Sequence, residues 1–249
     1  MDYYNAPVEF FNNLHRISVT VVGAGGTGSL VMSRLARIHM VLVDMGYKGL
    51  NVLLIDNDTV EAGNIGRQMF TEGDIGSFKS DALISKINMA FGLNWDSLPE
   101  KYVSGTRIKS NVVVSCVDNI PCRKAIAKHF YDYKVTGQNQ HQKHFLWFDC
   151  GNGKNFGQVI MTDRMHKLPS VFDIYGDLSK HKRRKSVQGE GCSIWNKLQD
   201  QSLFINDDIA VAFGEMFWTL LRDKRIDYHA AYMNLDSFNR NKALIKNIS

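Results

Sequence analysis

Proline is scarce in this chain. Four residues among 249 leave no Pro-rich linker at which to divide it, so a single domain over residues 1–249 is expected. Cysteine is equally sparse, and Cys116, Cys122, Cys150 and Cys192 form no CxxC pair, which excludes the usual structural zinc arrangement. His141 and His144 lack Cys or carboxylate companions at ligand spacing, which argues against a metal site there. No apolar run approaches the roughly 18 residues a membrane span needs. The N-terminus, with Asp2 and Glu9, has no basic-then-apolar leader pattern, so a cytoplasmic protein with reduced thiols and no membrane partner is expected. Positive charge is also missing from most of the chain. The net +5 equals what the tract Lys180-His181-Lys182-Arg183-Arg184-Lys185 supplies by itself, leaving no spread-out phosphate-binding face and arguing against a nucleic-acid binder.

What is present reads as an ordinary globular core, at 44% hydrophobic and 22% charged. Ile17 to Val22 is a β-branched run entering a glycine turn, after which Leu30, Val31, Leu35 and Ile38 fall at helical spacing. Leu50 to Ile55 is a second buried strand, Ser80 to Phe91 a helix, Val112 to Val117 a third strand, and Cys122 to about Tyr133 another helix. This alternation predicts an α/β fold with a doubly wound, mainly parallel sheet. Phe145 to Cys150, Gly151-Asn152-Gly153 and Phe156 to Met161 then predict a hairpin that adds antiparallel strands. Periodicity disappears over about 162–201, where a long, mobile surface crossover is expected. It returns in an apolar helix from Phe204 to Leu221 and a last strand near Ala230 to Leu235.

The chemistry concentrates at the carboxyl ends of the first three strands. Gly23-x-Gly25-Gly26-x-Gly28 between a strand and a helix sets backbone N–H groups and a helix N-terminus against a phosphate. An NAD-binding oxidoreductase shares that turn and expects an acidic residue about 20 positions on; Asp56, at the end of the second strand, fits a ribose contact in either case. The next stretch separates the readings. Asp56, Asp58, Asn64, Arg67 and Gln68 gather beyond one strand end, more polar groups than hydride transfer requires, whereas nucleotidyl transfer needs donors where charge builds on the phosphates. Lys79 adds an ammonium, and Asp118, at the end of the third strand, is placed to hold a magnesium ion.

In these residues the chain resembles the superfamily of ThiF, MoeB and the ubiquitin-activating enzymes. Its pattern is a GxGGxG turn, then DxDxVExxNxxRQ, a Lys, and an Asp ending the next strand, all present in order between Val19 and Asn119. Gly189-Glu190-Gly191-Cys192-Ser193 and the stretch from Gln201 to Asn206 look most like the ThiF proteins of bacterial PRTRC systems. The resemblance implies ATP-dependent adenylation of the C-terminal carboxylate of a ubiquitin-like or sulfur-carrier protein, in a homodimer with ATP and Mg2+, with a downstream conjugating or sulfur-transfer protein as a further partner. It implies that Gly23, Gly25, Gly26, Gly28, Asp56 and Asp58 bind the nucleotide, and that Arg67 and Lys79 bind phosphates. Asn64 and Gln68 would position the reacting groups, and Asp118 would hold the metal. Cys192 matches, in residue type and region, the cysteine that takes the acyl group in larger relatives. Many relatives carry an Arg upstream of the first strand that reaches into the partner's ATP site; here only Arg16 precedes it.

Each residue has a plainer reading. Asp118 suits a helix N-cap before Pro121, Lys79 a solvated first turn, and Arg67 a surface arginine. Cys116, Cys122 and Cys150 suit packing, as does Cys192 docking its loop, and the basic tract suits a solvated loop or a docking surface for an acidic partner. At the level of function, adenylation of a peptide or small acid, or a non-catalytic nucleotide-binding scaffold, stands beside activation of a carrier protein.

Overall fold

Ile17, Val19, Val21 and Val22 are all at most 5% exposed, so β2 (Ile17–Val22) is buried on both faces, as expected for the centre of a parallel sheet. The computed structural model describes residues 2–103, 106, 109–132, 145–176 and 201–246. In chain order, β1 (Tyr4–Asn5) and β2 lead into α1 (Gly26–Asp44), β3 (Leu50–Ile55), α2 (Lys79–Phe91), β4 (Asp96–Leu98), β5 (Val112–Ser115) and α3 (Ile120–Asp132). Then come β6 (Leu146–Asn152), β7 (Phe156–Asp163), α4 (Val171–Tyr175), α5 (Ile205–Asp223), β8 (Arg225–Ile226), β9 (Tyr228–Asn234) and β10 (Asn239–Leu244).

The main sheet has the order β10-β9-β7-β6-β5-β2-β3-β4, and β1 pairs with β8 in a separate two-stranded ribbon. Pairings from β6 through β4 are parallel, and those joining β6, β7, β9 and β10 are antiparallel. The mixed α/β sheet expected from the alternation is therefore present. The hairpin turns at Gly153, whose N–H donates to the Phe156 carbonyl at 2.8 Å.

Helices cover both faces. On one, Val31, Met32 and Leu35 of α1, Leu83 of α2, and Phe213 and Phe217 of α5 share a core with Val19, Leu54 and Phe148. Each of the phenylalanines contributes about 1.5–3 kcal/mol by leaving water. On the other face, Ile126 and Phe130 of α3 and Val171 of α4 pack on Val113, Trp147 and Ile160. α2 stops at Gly92, whose φ of 64° supplies the left-handed residue that closes a helix.

Five elements go beyond the pattern: β1, β4, β8, β10 and α4. The stretch from 162 onward has no hydrophobic period, yet Thr162 and Asp163 finish β7, and Ser170 starts α4 by accepting the Asp173 N–H. Tyr133, His141, His144, Lys180 to Lys185, and Cys192 lie outside the described residues. Among the described residues no helix is long and apolar enough to cross a membrane.

Candidate active site

The chain leaves β2 for β3 and β4 on one side and returns to β5 on the other, so β2 and β5 flank the point where strand order reverses. A crevice forms outside the carboxyl ends of strands at such a point. The ends of β2, β3 and β5 deliver the glycine turn, Asp56 and Asp118 to it.

The turn is tight for steric reasons. Gly23 has φ +99°, and a Cβ there would lie 2.7 Å from the Cys116 carbonyl oxygen. A Cβ on Gly28 would stand 1.9 Å from the Gly23 carbonyl oxygen, so only glycine lets α1 start so close to the strand. A Cβ on Gly26 would meet the Asn206 amide at 2.5 Å, whereas one on Gly25 would meet nothing within 4 Å. The open side of the turn is thus at Gly25, beside the first N–H groups of α1, where an anion is favoured.

Asp56 ties this turn to β3. Its Oδ2 accepts from the Ala24 N–H at 2.5 Å and its Oδ1 from the Asp58 N–H at 2.8 Å. Burial pushes its carboxyl above the usual range, and the two amide donors oppose that. Each oxygen keeps a second lone pair for a ribose hydroxyl.

Lys79, the first residue of α2, is 8% exposed rather than solvated. Its N–H donates to the Asp58 carbonyl at 2.8 Å, and its Nζ stands 3.2 Å from Asp58 Oδ2. Asn64 is buried, and its Oδ1 accepts the Glu61 N–H at 2.9 Å. The Asn64 carbonyl accepts from the N–H groups of Arg67 and Gln68 at 3.3 and 3.0 Å, so one turn presents both side chains. Arg67 is half-buried, which lowers its guanidinium pKa, and it donates to Gln201 Oε1 at 3.0 Å. Gln68 Oε1 is buried with no hydrogen-bond partner, a position that suits a ligand donor.

Asp118 is exposed between β5 and α3. The cap of α3 is its neighbour Asn119, whose Oδ1 accepts the Cys122 N–H at 2.9 Å, so the cap reading of Asp118 is corrected. Burial pushes the Cys122 thiol up to about 11, helped by the charges of Asp118 and Asp56, which suits a packing cysteine and not a nucleophile. Cys116 is half-buried, and Cys150 is buried with its thiol pushed well up by hydrogen bonding to Cys116 and by burial.

Two supporting groups were missed. Arg123 Nε lies 3.0 Å from Asp149 Oδ1, which also accepts the Ser115 hydroxyl at 2.6 Å. A charged residue inside the apolar run Leu146-Trp147-Phe148-Asp149-Cys150 was the available signal, since a buried charge requires a partner. Asn206 gave no such signal, although it receives hydrogen bonds from Thr27 and Asn152, both at 2.8 Å.

The residues fit a nucleotide, because the turn is a cradle that a Cβ would fill, and Lys79 is tied to it through Asp58 and Asp56 and Arg67 through Gln201 and Asn206. Among the described residues no group of three His, Cys, Asp or Glu could hold a metal unaided. Magnesium takes one or two carboxylates with phosphates and waters, so Asp118 fits as one ligand of an ion completed by the substrate.

This arrangement defines a Rossmann-like α/β protein with a crevice suited to a phosphate. The chain belongs to the ThiF family, whose model matches residues 2–198. It is similar to ubiquitin-like modifier-activating enzyme 5 of Arabidopsis thaliana, at 29% identity over 150 residues covering 52% of this chain and 33% of that protein. The enzyme of the same name from Culex quinquefasciatus is 29% identical over 165 residues, 59% of this chain and 37% of that protein. The chain thus spans about a third of the length of these relatives. Among solved structures, E. coli MccB with ATP is similar in fold, with TM-score 0.62 and 14% identity over 96% of this chain and 67% of that one. PaaA is also similar, with TM-score 0.60, 15% identity and the same two coverages.

Proposed function

We propose that the protein adenylates a carboxylate with ATP, and that its acceptor is the C-terminal carboxylate of a ubiquitin-like or sulfur-carrier protein. The observation that carries this is the pairing of a glycine cradle, open at Gly25, with Lys79 and Arg67 on the loop and helix that follow β3. Attack of a carboxylate oxygen on the α-phosphate forms an acyl-adenylate, and the bond to the leaving pyrophosphate breaks. Asp56 holds the ribose, and the α1 N-terminus, Arg67 and Lys79 take up negative charge as it builds on the phosphates. Asn64 fixes the turn from which Arg67 and Gln68 reach the reacting groups. Asp118 would hold a magnesium ion, which would supply further charge compensation on the phosphates. No covalent protein step is needed for adenylation, only positioning and electrostatics.

The similarity to ubiquitin-like modifier-activating enzymes supports a protein acceptor. The residue pattern at Gly189 to Ser193 and Gln201 to Asn206 supports a place among PRTRC-system ThiF proteins. Cys192 is the proposed acceptor of the activated acyl group, its thiolate forming a thioester as the acyl–phosphate bond breaks and AMP leaves, readable as a thiol-sensitive adduct lost in Cys192→Ala. Exposed Met40, Val41, Val43 and Met45 on and just beyond the last turns of α1 support a homodimer, which sedimentation would test.

ATP–pyrophosphate exchange tests the reading. Exchange is expected only when a small carrier protein with a free C-terminus is present, and Asp118→Ala should abolish it in a folded protein. Exchange triggered instead by a short peptide or a small acid would move the substrate class, and no exchange with any carboxylate would sink the proposal.

A further inference from the structure

The phosphate-facing turn is held from the far end of the sequence. Asn206, the second residue of α5, is 3% exposed, and its Oδ1 accepts from the Thr27 hydroxyl and from the Asn152 amide, each at 2.8 Å. Its Nδ2 donates to Gln201 Oε1 at 3.4 Å, and the same oxygen accepts from Arg67 Nη2 at 3.0 Å. Nδ2 also occupies the space a Cβ on Gly26 would need, 2.5 Å away. One buried amide therefore joins the first turn of α1 to the guanidinium of Arg67.

The chemistry of the two linking residues is informative. A free arginine samples many rotamers, and ordering it on a ligand costs affinity unless the protein has already done so. A neutral carbonyl oxygen can hold the guanidinium without cancelling its charge, which a carboxylate would do. At the N-terminus of α1 a neutral amide likewise avoids placing a negative charge where a phosphate would sit.

We infer that Gln201 and Asn206 are positioning residues that preset Arg67 and the first turn of α1 to receive a polyphosphate. This rests on the adenylation reading, in which Arg67 meets the phosphates of ATP. Gln201 sets the direction of the guanidinium, and Asn206 fixes Gln201 against Thr27 and Asn152, so that turn and arginine are ordered together.

The test is equilibrium titration of the full-length protein with Mg–ATP and, separately, adenosine. Gln201→Ala should weaken ATP about tenfold, the size of one lost charge-assisted hydrogen bond, and leave adenosine within about twofold. Gln201→Glu should weaken ATP further than Gln201→Ala, because its carboxylate neutralises Arg67. Asn206→Asp should do the same from the helix end. Gln201 is only half-buried, so its variants carry the test even where Asn206→Asp unfolds. Equal losses for ATP and adenosine, or none, overturn the positioning role while the wild type's ATP binding keeps the adenylation reading. A wild type that binds neither ligand overturns both.

Discussion

The parallel and antiparallel halves of the sheet divide the labour at the crevice. The parallel half aims β2, β3 and β5 at it and contributes the groups suited to a ligand: the glycine turn, Asp56, Lys79, Arg67 and Asp118. The second half, from β6 to α5, contributes groups that hold these in place. Asp149 holds Arg123 of the neighbouring helix, Asn206, itself bound by Asn152, holds Thr27, and Gln201 holds Arg67. Ligand chemistry dictates residue type in the first half, whereas in the second the requirement is a hydrogen-bonding partner at the right point in space, neutral where it meets Arg67 or the start of α1. The two halves should therefore fail differently when altered.

The largest effect is expected at Gly28. A Cβ at Gly28 would stand 1.9 Å from the Gly23 carbonyl oxygen, so Gly28→Ala must open the turn. Loss of ATP binding and destabilisation by about 3 kcal/mol or more are expected. Gly25→Ala is the control: a Cβ there meets nothing within 4 Å, so stability should stay within about 0.5 kcal/mol of the parent. Urea denaturation of both variants checks this, and equal stabilities would mean that the turn is looser than its geometry.

On the supporting side, Asp149→Ala comes next. The Asp149 side chain is 2% exposed and that of Arg123 13%, so removing the carboxylate strands a buried guanidinium. Such a loss costs about 3–5 kcal/mol, whereas ATP affinity in the folded fraction should change little. A drop of less than about 1 kcal/mol in thermal or urea unfolding, or a selective loss of ATP, would erase the contrast between ligand-facing and supporting residues.

What the sequence made legible follows the same division. β2 and β3 stand out because apolar runs buried in the sheet meet a glycine turn and an aspartate, while β10, Asn239–Leu244, is mostly exposed and polar, so no hydrophobic period marks it. β4 has only three residues and owes its place to backbone pairing with β3. The ligand-facing residues were legible because their types and spacing are local. The support was not: Arg67 and Gln201 are 134 positions apart, and Thr27 and Asn206 are 179 apart. Asp118 against Asn119 shows the finer limit, since either side chain suits a cap and only the fold decides that Asn119 takes the Cys122 N–H.

The smallest expected effect lies in the parallel half away from the crevice, at His39. Its Nδ1 lies 3.0 Å from both the N–H and the carbonyl oxygen of Leu50, its ring meets Trp95 edge-on at 5.8 Å, and it fills the space beside Gly49. Burial holds its pKa below the ordinary value, reinforced by the charge of Arg16 and opposed by the Leu50 carbonyl. In the unfolded chain the imidazole titrates near its usual value of about 6.5. Between that pH and the lower folded value the unfolded chain binds more protons, so stability falls on acidification and is level above the unfolded pKa. The slope from this one group is at most about 1.4 kcal/mol per pH unit. Burial lowers the pKa of His229 on β9 as well, so it adds a slope of the same sign. Urea unfolding of the wild type and His39→Gln between about pH 7.5 and pH 5 separates them. The variant should be less stable at the upper end, having lost the fitted ring, yet decline less steeply toward the lower end. An unchanged slope would assign the acid sensitivity to His229 or the carboxylates and remove His39 from the account.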